Sequence, residues 1–162
     1  MFHRFRTAAM IALVAGTTLA LAACNTGVVK RVSPPAASLQ QLTVRADGGW
    51  DVALRLQNFS SMPMTFDAVA LSLKVDDEDA GTLQTTPALS IGGESADVVT
   101  LRLQPSSGAR LVVADALAGN RTLAYKLTGT VSATPQEKKQ RSFEIDQRST
   151  LNQAPGLPGV LR

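Results

Sequence analysis

The stretch WDVALRLQN, residues 50 to 58, sets Trp50, Val52, Leu54 and Leu56 against Asp51, Ala53, Arg55 and Gln57. Successive side chains of a strand point to opposite faces, so this alternation makes one buried face and one wet face. The same period recurs three times. DAVALSLKV turns Val69, Leu71, Leu73 and Val75 inward, DVVTLRLQ turns Val99, Leu101 and Leu103 inward, and RTLAYKLTGTV turns Leu123, Tyr125, Leu127 and Val131 inward. Weaker alternation marks LQQLTVRA from residue 39, GTLQTT from 81 and RSFEIDQ from 141. Turn residues separate the runs at ADGG (46–49), SSMP (60–63), DDEDAG (76–81), IGGE (91–94) and ATPQ (133–136), where Gly, Pro, Asp and Ser relieve the backbone. About seven short alternating strands joined by turns predict an all-β fold, a single β-sandwich. Leu54, Leu71, Leu101 and Leu127 are its expected core. Gly129 interrupts the fourth run and marks either a bulge or a close backbone approach.

One segment has a different period. SSGARLVVADALAG, residues 106 to 119, offers a serine start, helix-forming residues and a closing Gly119. It predicts one short helix, with Leu111, Val112 and Leu117 as its apolar positions, capping an end of the sandwich.

The chain begins with a segment of another kind. Arg4 and Arg6 precede an apolar run from Ala8 to about Ala23, closed by small residues. That charged, apolar and small order is the pattern of a secretory signal peptide, and the run is short for a membrane span of about 20 apolar residues. Residues 1–23 are therefore expected to be removed. Ordinary cleavage after Ala22 would leave Cys24, the only cysteine, as an unpaired thiol in an exported protein. Leu21, Ala22, Ala23 and Cys24 instead resemble the lipobox of bacterial lipoproteins. That resemblance implies a diacylglycerol on the Cys24 sulfur, cleavage just before it, and frequent acylation of the new amino group. Two or three acyl chains pass the threshold for stable anchoring. Asn25 comes directly after Cys24; by the sorting rule of such lipoproteins an aspartate there retains the protein at the inner membrane, so the resemblance implies the outer membrane, facing the periplasm. Residues 24–37, which take in KRVSPPAA (30–37), read as an extended tether or linker, residues 38–150 as the domain and residues 151–162 as a Pro/Gly-containing tail.

Processing changes the chemistry on offer. The formal net charge is +3, but Arg4 and Arg6 are two of the 16 basic residues, leaving 14 against 13 acidic ones. A nearly neutral chain argues against a nucleic-acid partner. His3, the only histidine, leaves with the signal, and lipidation consumes the only thiol. The usual general base, thiol nucleophile and zinc ligands are then missing, and no SxxK, GxSxG or phosphate-cradling glycine loop is present. The expectation is no catalytic residue, no metal, no cofactor and no enzymatic activity.

The run VALRLQNFSSMPMTF, the hairpin into LSLKVDDEDAGTL, the segment TPALSIGGESADVVTLRL, the short helix and LAYKLTGTV together resemble the group 2 late-embryogenesis-abundant family, also called the WHy domain (water stress and hypersensitive response). The likeness spans roughly residues 37 to 150. In that family a first strand runs into Asn-Pro-Asn with a further proline beyond. Asn58 and Pro63 match the outer positions, while Phe59 and Ser60 replace the inner ones. Tyr125, Leu127 and Gly129 match a later Tyr, hydrophobic, Gly pattern. The resemblance implies a sandwich of immunoglobulin or fibronectin III type and a desiccation or osmotic stress-protective role through contact with membranes or unfolded proteins, as a monomer. An adaptor or assembly module binding one specific envelope protein is the alternative, since both roles ask only for a folded, tethered sandwich.

Three other groups have two readings each. Asp76, Asp77, Glu78 and Asp79 form a solvated turn or a cation site. Lys138, Lys139 and Arg141 form a solvated hairpin end or a contact with lipid phosphate. Trp50 and Tyr125 belong to the core or to a ligand platform.

Overall fold

A computed structural model describes residues 30–162; the signal segment, the lipobox-like residues and Cys24 lie outside the described residues. The alternating runs become strands. β1 (Ala36–Val44), β2 (Trp50–Gln57), β6 (Ala96–Leu103) and β9 (Val160–Leu161) form one antiparallel sheet in the order β6-β2-β1-β9. β3 (Met64–Val75), β4 (Glu78–Thr85), β7 (Leu123–Pro135) and β8 (Arg141–Leu151) form the second in the order β4-β3-β7-β8, and β5 (Leu89–Ile91) pairs with the start of β3. The fold is an all-β sandwich.

The core sits between the sheets because the period-two residues of both meet there. Trp50, Val52, Leu54 and Leu56 of β2 join Val69, Leu71, Leu73 and Val75 of β3 and Leu123, Leu127 and Val131 of β7 in one buried cluster. Register keeps the inward residues in rows: Val52 pairs with Leu42 and Leu101, and Leu71 pairs with Leu83 and Gly129. A one-residue slip would turn each row outward. Tyr125 brings a hydroxyl into this apolar setting and sets it to use: the Leu39 amide of β1 donates to it at 3.1 Å, joining the two sheets. That bond falls beside the register shift between Leu39 and Gln41. Trp50 and Tyr125 are both buried, in keeping with the core reading.

Gly129 is a close approach rather than a bulge, since β7 keeps register there with both neighbours. Its φ is +144°, and a Cβ would lie 2.2 Å from the Ala70 carbonyl oxygen, a distance no side chain tolerates.

The helix α1 (Ser107–Ala118) starts and stops as the residues predict. The Ser106 hydroxyl accepts from the Ala109 amide and donates to the Asp79 carbonyl, and Gly119 closes the last turn. Of the expected apolar positions, Val112 and Leu117 pack partly buried against the core, but Leu111 is 73% exposed, and the fully buried residues are Ala109, Val113 and Ala116. These residues, at a spacing of four and three, share the face that lies against β4 and β3, and Leu111, two positions from both Ala109 and Val113, falls on the opposite face.

The other differences are at the ends of the domain. β1 begins at Ala36, two positions inside the expected linker, because Ala37 is buried. β8 extends to Leu151, and the tail folds back so that Val160 and Leu161 pair with Thr43 and Leu42. With β5 these raise the strand count among the described residues from the expected seven or so to nine. A strand of two or three residues is too short to show a period.

Truncation of Leu54 or Leu71 to Ala should cost about 2–5 kcal/mol, while Leu111→Ala should stay within about 0.5 kcal/mol of the parent. Gly129→Ala should cost more than about 2 kcal/mol through the clash and the positive φ. Urea unfolding of the variants checks all three.

Candidate functional site at the proximal end

The strands run lengthwise, so their turns gather at two ends. At the end where β1 starts, the chain from Lys30 meets the β2–β3 loop, the β5–β6 turn and the β7–β8 turn. This proximal end is assembled around one side chain. Asn58, fully buried, donates from Nδ2 to the carbonyls of Met62 (2.9 Å), Ile91 (3.1 Å) and Gly92 (2.9 Å). Its Oδ1 accepts from the Ser60 amide at 2.9 Å, and its own backbone amide donates to the Ser95 carbonyl. Two N–H groups serve three carbonyls, so one is shared. A buried carbonyl deprived of a donor is costly, which explains why a primary amide stands here.

Gly93 then packs its backbone on the Ser61–Met62 peptide, where a Cβ would lie 2.8 Å from the Ser61 carbonyl carbon. The Glu94 amide donates to the Ser60 carbonyl. Glu94 takes φ +54° to do so. The loop held in this way receives the incoming chain: the Ser33 amide donates to Ser60 Oγ at 3.0 Å, and the Arg31 amide donates to Ser61 Oγ at 2.8 Å. The residues expected to be a free spacer are thus partly docked, and the docking sites are the two serines beside Asn58. Lys30 reaches the β7–β8 turn, its Nζ lying 2.6 Å from Glu137 Oε2, and Arg31 lies 3.6 Å from Glu94. The Lys30 hydrogen bond, aided by its charge, holds the Glu137 carboxyl below the usual carboxylate range.

The surface left around this assembly has two kinds of group. Phe59, next to Asn58, is 49% exposed. Lys138, Lys139 and Arg141 are exposed on the β7–β8 turn and the first residue of β8, and no carboxylate among the described residues lies within ion-pair distance of them.

The remaining sequence candidates are at the opposite, distal end. Asp76 acts on its own backbone and that of β7: its Oδ1 accepts from the Ala124 amide at 3.0 Å, and its amide donates to the Ala124 carbonyl. Asp79 pairs with Lys74 at 3.3 Å. Asp77 and Glu78 are exposed. Among the described residues no group of three or more His, Cys, Asp or Glu side chains is placed to hold a metal ion. Beside this turn an open groove of about 530 Å³ is lined by Lys74, Asp76, Asp77, Tyr125, Lys126 and Arg148, and its Lys126 is paired with Asp146 at 3.5 Å. No helix among the described residues is long and apolar enough to cross a membrane.

Residue-by-residue reading marks Asn58 only as a motif position. A signal for its larger role is nonetheless present: an asparagine directly after an alternating strand and before a Ser-Ser-Met-Pro turn is placed to bond to a loop backbone. The Ser60 and Ser61 contacts have no such signal, because they join positions 27 to 30 residues apart.

No family model matches the sequence, and no curated protein matches it. Solved structures do resemble the fold. A candidate late-embryogenesis-abundant (LEA) protein is 13% identical with a TM-score of 0.49, covering 95% of this chain and 87% of its own. A protein from Arabidopsis thaliana is 9% identical with a TM-score of 0.48, covering 79% of this chain and 85% of its own. A protein from Archaeoglobus fulgidus is 9% identical with a TM-score of 0.41, covering 76% and 98%. Likenesses of this size describe general shape and say nothing about what the chain does.

Asn58→Ala should destabilise the domain by at least about 2 kcal/mol, because the carbonyls of Met62 and Ile91 lose their donor. Asn58→Asp, nearly the same in shape, should cost at least as much at neutral pH, since a carboxylate would face those carbonyls without a proton to give; denaturant unfolding of the pair checks this. Glu137, with its folded pKa depressed, contributes its contact at neutral pH and loses it as pH falls through that lowered value. A carboxyl titration by NMR should place the Glu137 midpoint lower in the parent than in Lys30→Ala.

Proposed function

We propose that this chain is a lipid-anchored envelope protein that protects its surroundings under desiccation or osmotic stress without catalysing a reaction. Cys24 carries the lipid, the protein faces the periplasm from the outer membrane, and the sandwich acts as a monomer through weak contact with membranes or unfolded proteins. The observation that carries this reading is the placement of Lys30 to Ser33. Six positions after Cys24 the chain is already bonded to the sandwich, so a lipid on Cys24 would hold the folded domain at the membrane surface. Weak contact needs a high local concentration, and a short tether supplies it. The chemistry of the mature chain supports a role without turnover, since it has neither imidazole nor free thiol. The resemblance to the WHy domain supports protection, and two of its matched positions, Asn58 and Gly129, hold structural places that the fold needs.

Cys24→Ser should abolish metabolic labelling with fatty acid and release the protein from membranes. Undiminished labelling would refute the anchor. A labile reporter enzyme dried and rehydrated with the purified, unlipidated mature domain should keep more activity than with an equal mass of an unrelated β-sandwich, and a deletion strain should survive drying less well. Protection equal to the control, with a stoichiometric partner captured by crosslinking in cells, would favour the adaptor role instead.

A further inference from the structure

We propose that the proximal end of the sandwich is a lipid-docking face, with Phe59 entering the interfacial region and Lys138, Lys139 and Arg141 pairing with anionic headgroups of the leaflet that holds the anchor. This deepens the proposed function and rests on the lipidation of Cys24. Chain length is the first argument. Six Cα steps separate Cys24 from Lys30, at most roughly 3.6 Å each, so Lys30 stays within about 22 Å of the anchor. Docking is the second: Lys30, Arg31 and Ser33 are bonded to the β7–β8 turn and the β2–β3 loop, so this end moves with the anchor while the distal end, with the acidic Asp76–Asp79 turn, is a strand length away.

Charge is the third argument. Lys30 and Arg31 are engaged by Glu137 and Glu94, which leaves the basic side chains of Lys138, Lys139 and Arg141 for a surface. Near an anionic membrane each such cation strengthens binding by about fivefold. Three fall short of the roughly four to eight that hold a free protein on a membrane, but a tethered domain needs only an orientation preference. Phe59 supplies the apolar part. Its neighbours Asn58 and Ser60 are buried, so the ring stands out from a rigid loop, and an aromatic ring on such a loop suits the interface.

The test uses the mature chain from Cys24 to Arg162, coupled through its single thiol to a maleimide lipid in vesicles, so that the geometry is examined whether or not cells lipidate the protein. Phe59→Trp places an indole on the docking face, and Leu157→Trp places one on the distal end, where Leu157 is 44% exposed beside Asn120. On vesicles of phosphatidylcholine with about one third phosphatidylglycerol, the first indole should be quenched by brominated acyl chains and the second should remain open to aqueous iodide. On the same vesicles, Lys138→Gln with Lys139→Gln, both at exposed positions, should lower the docked-to-undocked ratio of the coupled domain, read from quenching of the Phe59→Trp indole, by about 25-fold, or fivefold per charge. Raising salt should weaken the parent similarly. Equal iodide access for both indoles, or a Lys138→Gln, Lys139→Gln variant whose coupled Phe59→Trp indole is quenched as fully as without those changes, would overturn the docking face. Fatty-acid labelling of Cys24 in cells is read separately; its absence, with the Phe59→Trp indole still quenched, would remove the anchor and leave the docking face standing.

Discussion

One buried amide organises the end of the molecule at which the chain enters. Asn58 gathers the carbonyls of two loops that belong to different sheets, since Met62 leads into β3 while Gly92 leads into β6. A sandwich core holds its sheets face to face, but it does little for loops beyond the last buried row. There the backbone groups have no strand partner, and each must find one or meet water. Asn58 satisfies four of them from a fully buried position. The Ser60 and Ser61 hydroxyls beside it then take the incoming chain. That single amide thereby joins two loops into one platform, and the two serines add the incoming chain to it.

Rigidity of the platform decides how an anchor would act on the domain. If residues 30 to 35 were a free spacer, the sandwich would tumble at its tether and present every face to the membrane equally. Docked as they are, the orientation of the chain at Lys30 is the orientation of the sandwich. The Tyr125 hydroxyl continues the coupling inward, because it ties Leu39 of β1, the strand directly after the docked segment, to the opposite sheet. β1 is thus tied both to its own sheet and, through Tyr125, to the opposite one.

The fold was legible wherever burial acts on one face at a time. Every inward residue of the runs at 50 to 56, 69 to 75 and 123 to 131 named from its alternation is buried, because a half-buried strand writes its environment into its sequence with period two. The helix limits were legible through Ser106 and Gly119, but its face was not. Spacing points to Leu111, Val112 and Leu117; Val112 and Leu117 do pack in part, but the fully buried positions are Ala109, Val113 and Ala116, since sequence alone does not reveal which side of a short helix meets its neighbour. β5 and β9 were missed because two or three residues hold no period, and each is stabilised by a strand distant in the chain. The candidate site divides in the same way. Asn58 and the Lys138–Lys139 pair could be singled out by residue type, yet their convergence with Phe59 and Lys30 is a property of loops brought together by strand order, which no local pattern encodes.

Charge shows why that convergence matters more than composition. With Arg4 and Arg6 removed, a chain of 14 basic and 13 acidic residues would have almost no net attraction for a membrane. Within a sandwich about a strand long, however, screening acts over about 8 Å at physiological ionic strength, so a surface responds to the nearest turn and not to the sum. The β7–β8 turn and the start of β8 have Lys138, Lys139 and Arg141 close to Lys30, whose own charge is matched by Glu137, and Asp77 and Glu78 lie at the opposite end. A neutral protein arranged in this way can present a basic face to a lipid surface while its acidic turn stays in the solution beyond. Net charge then governs solubility, and the fold governs orientation.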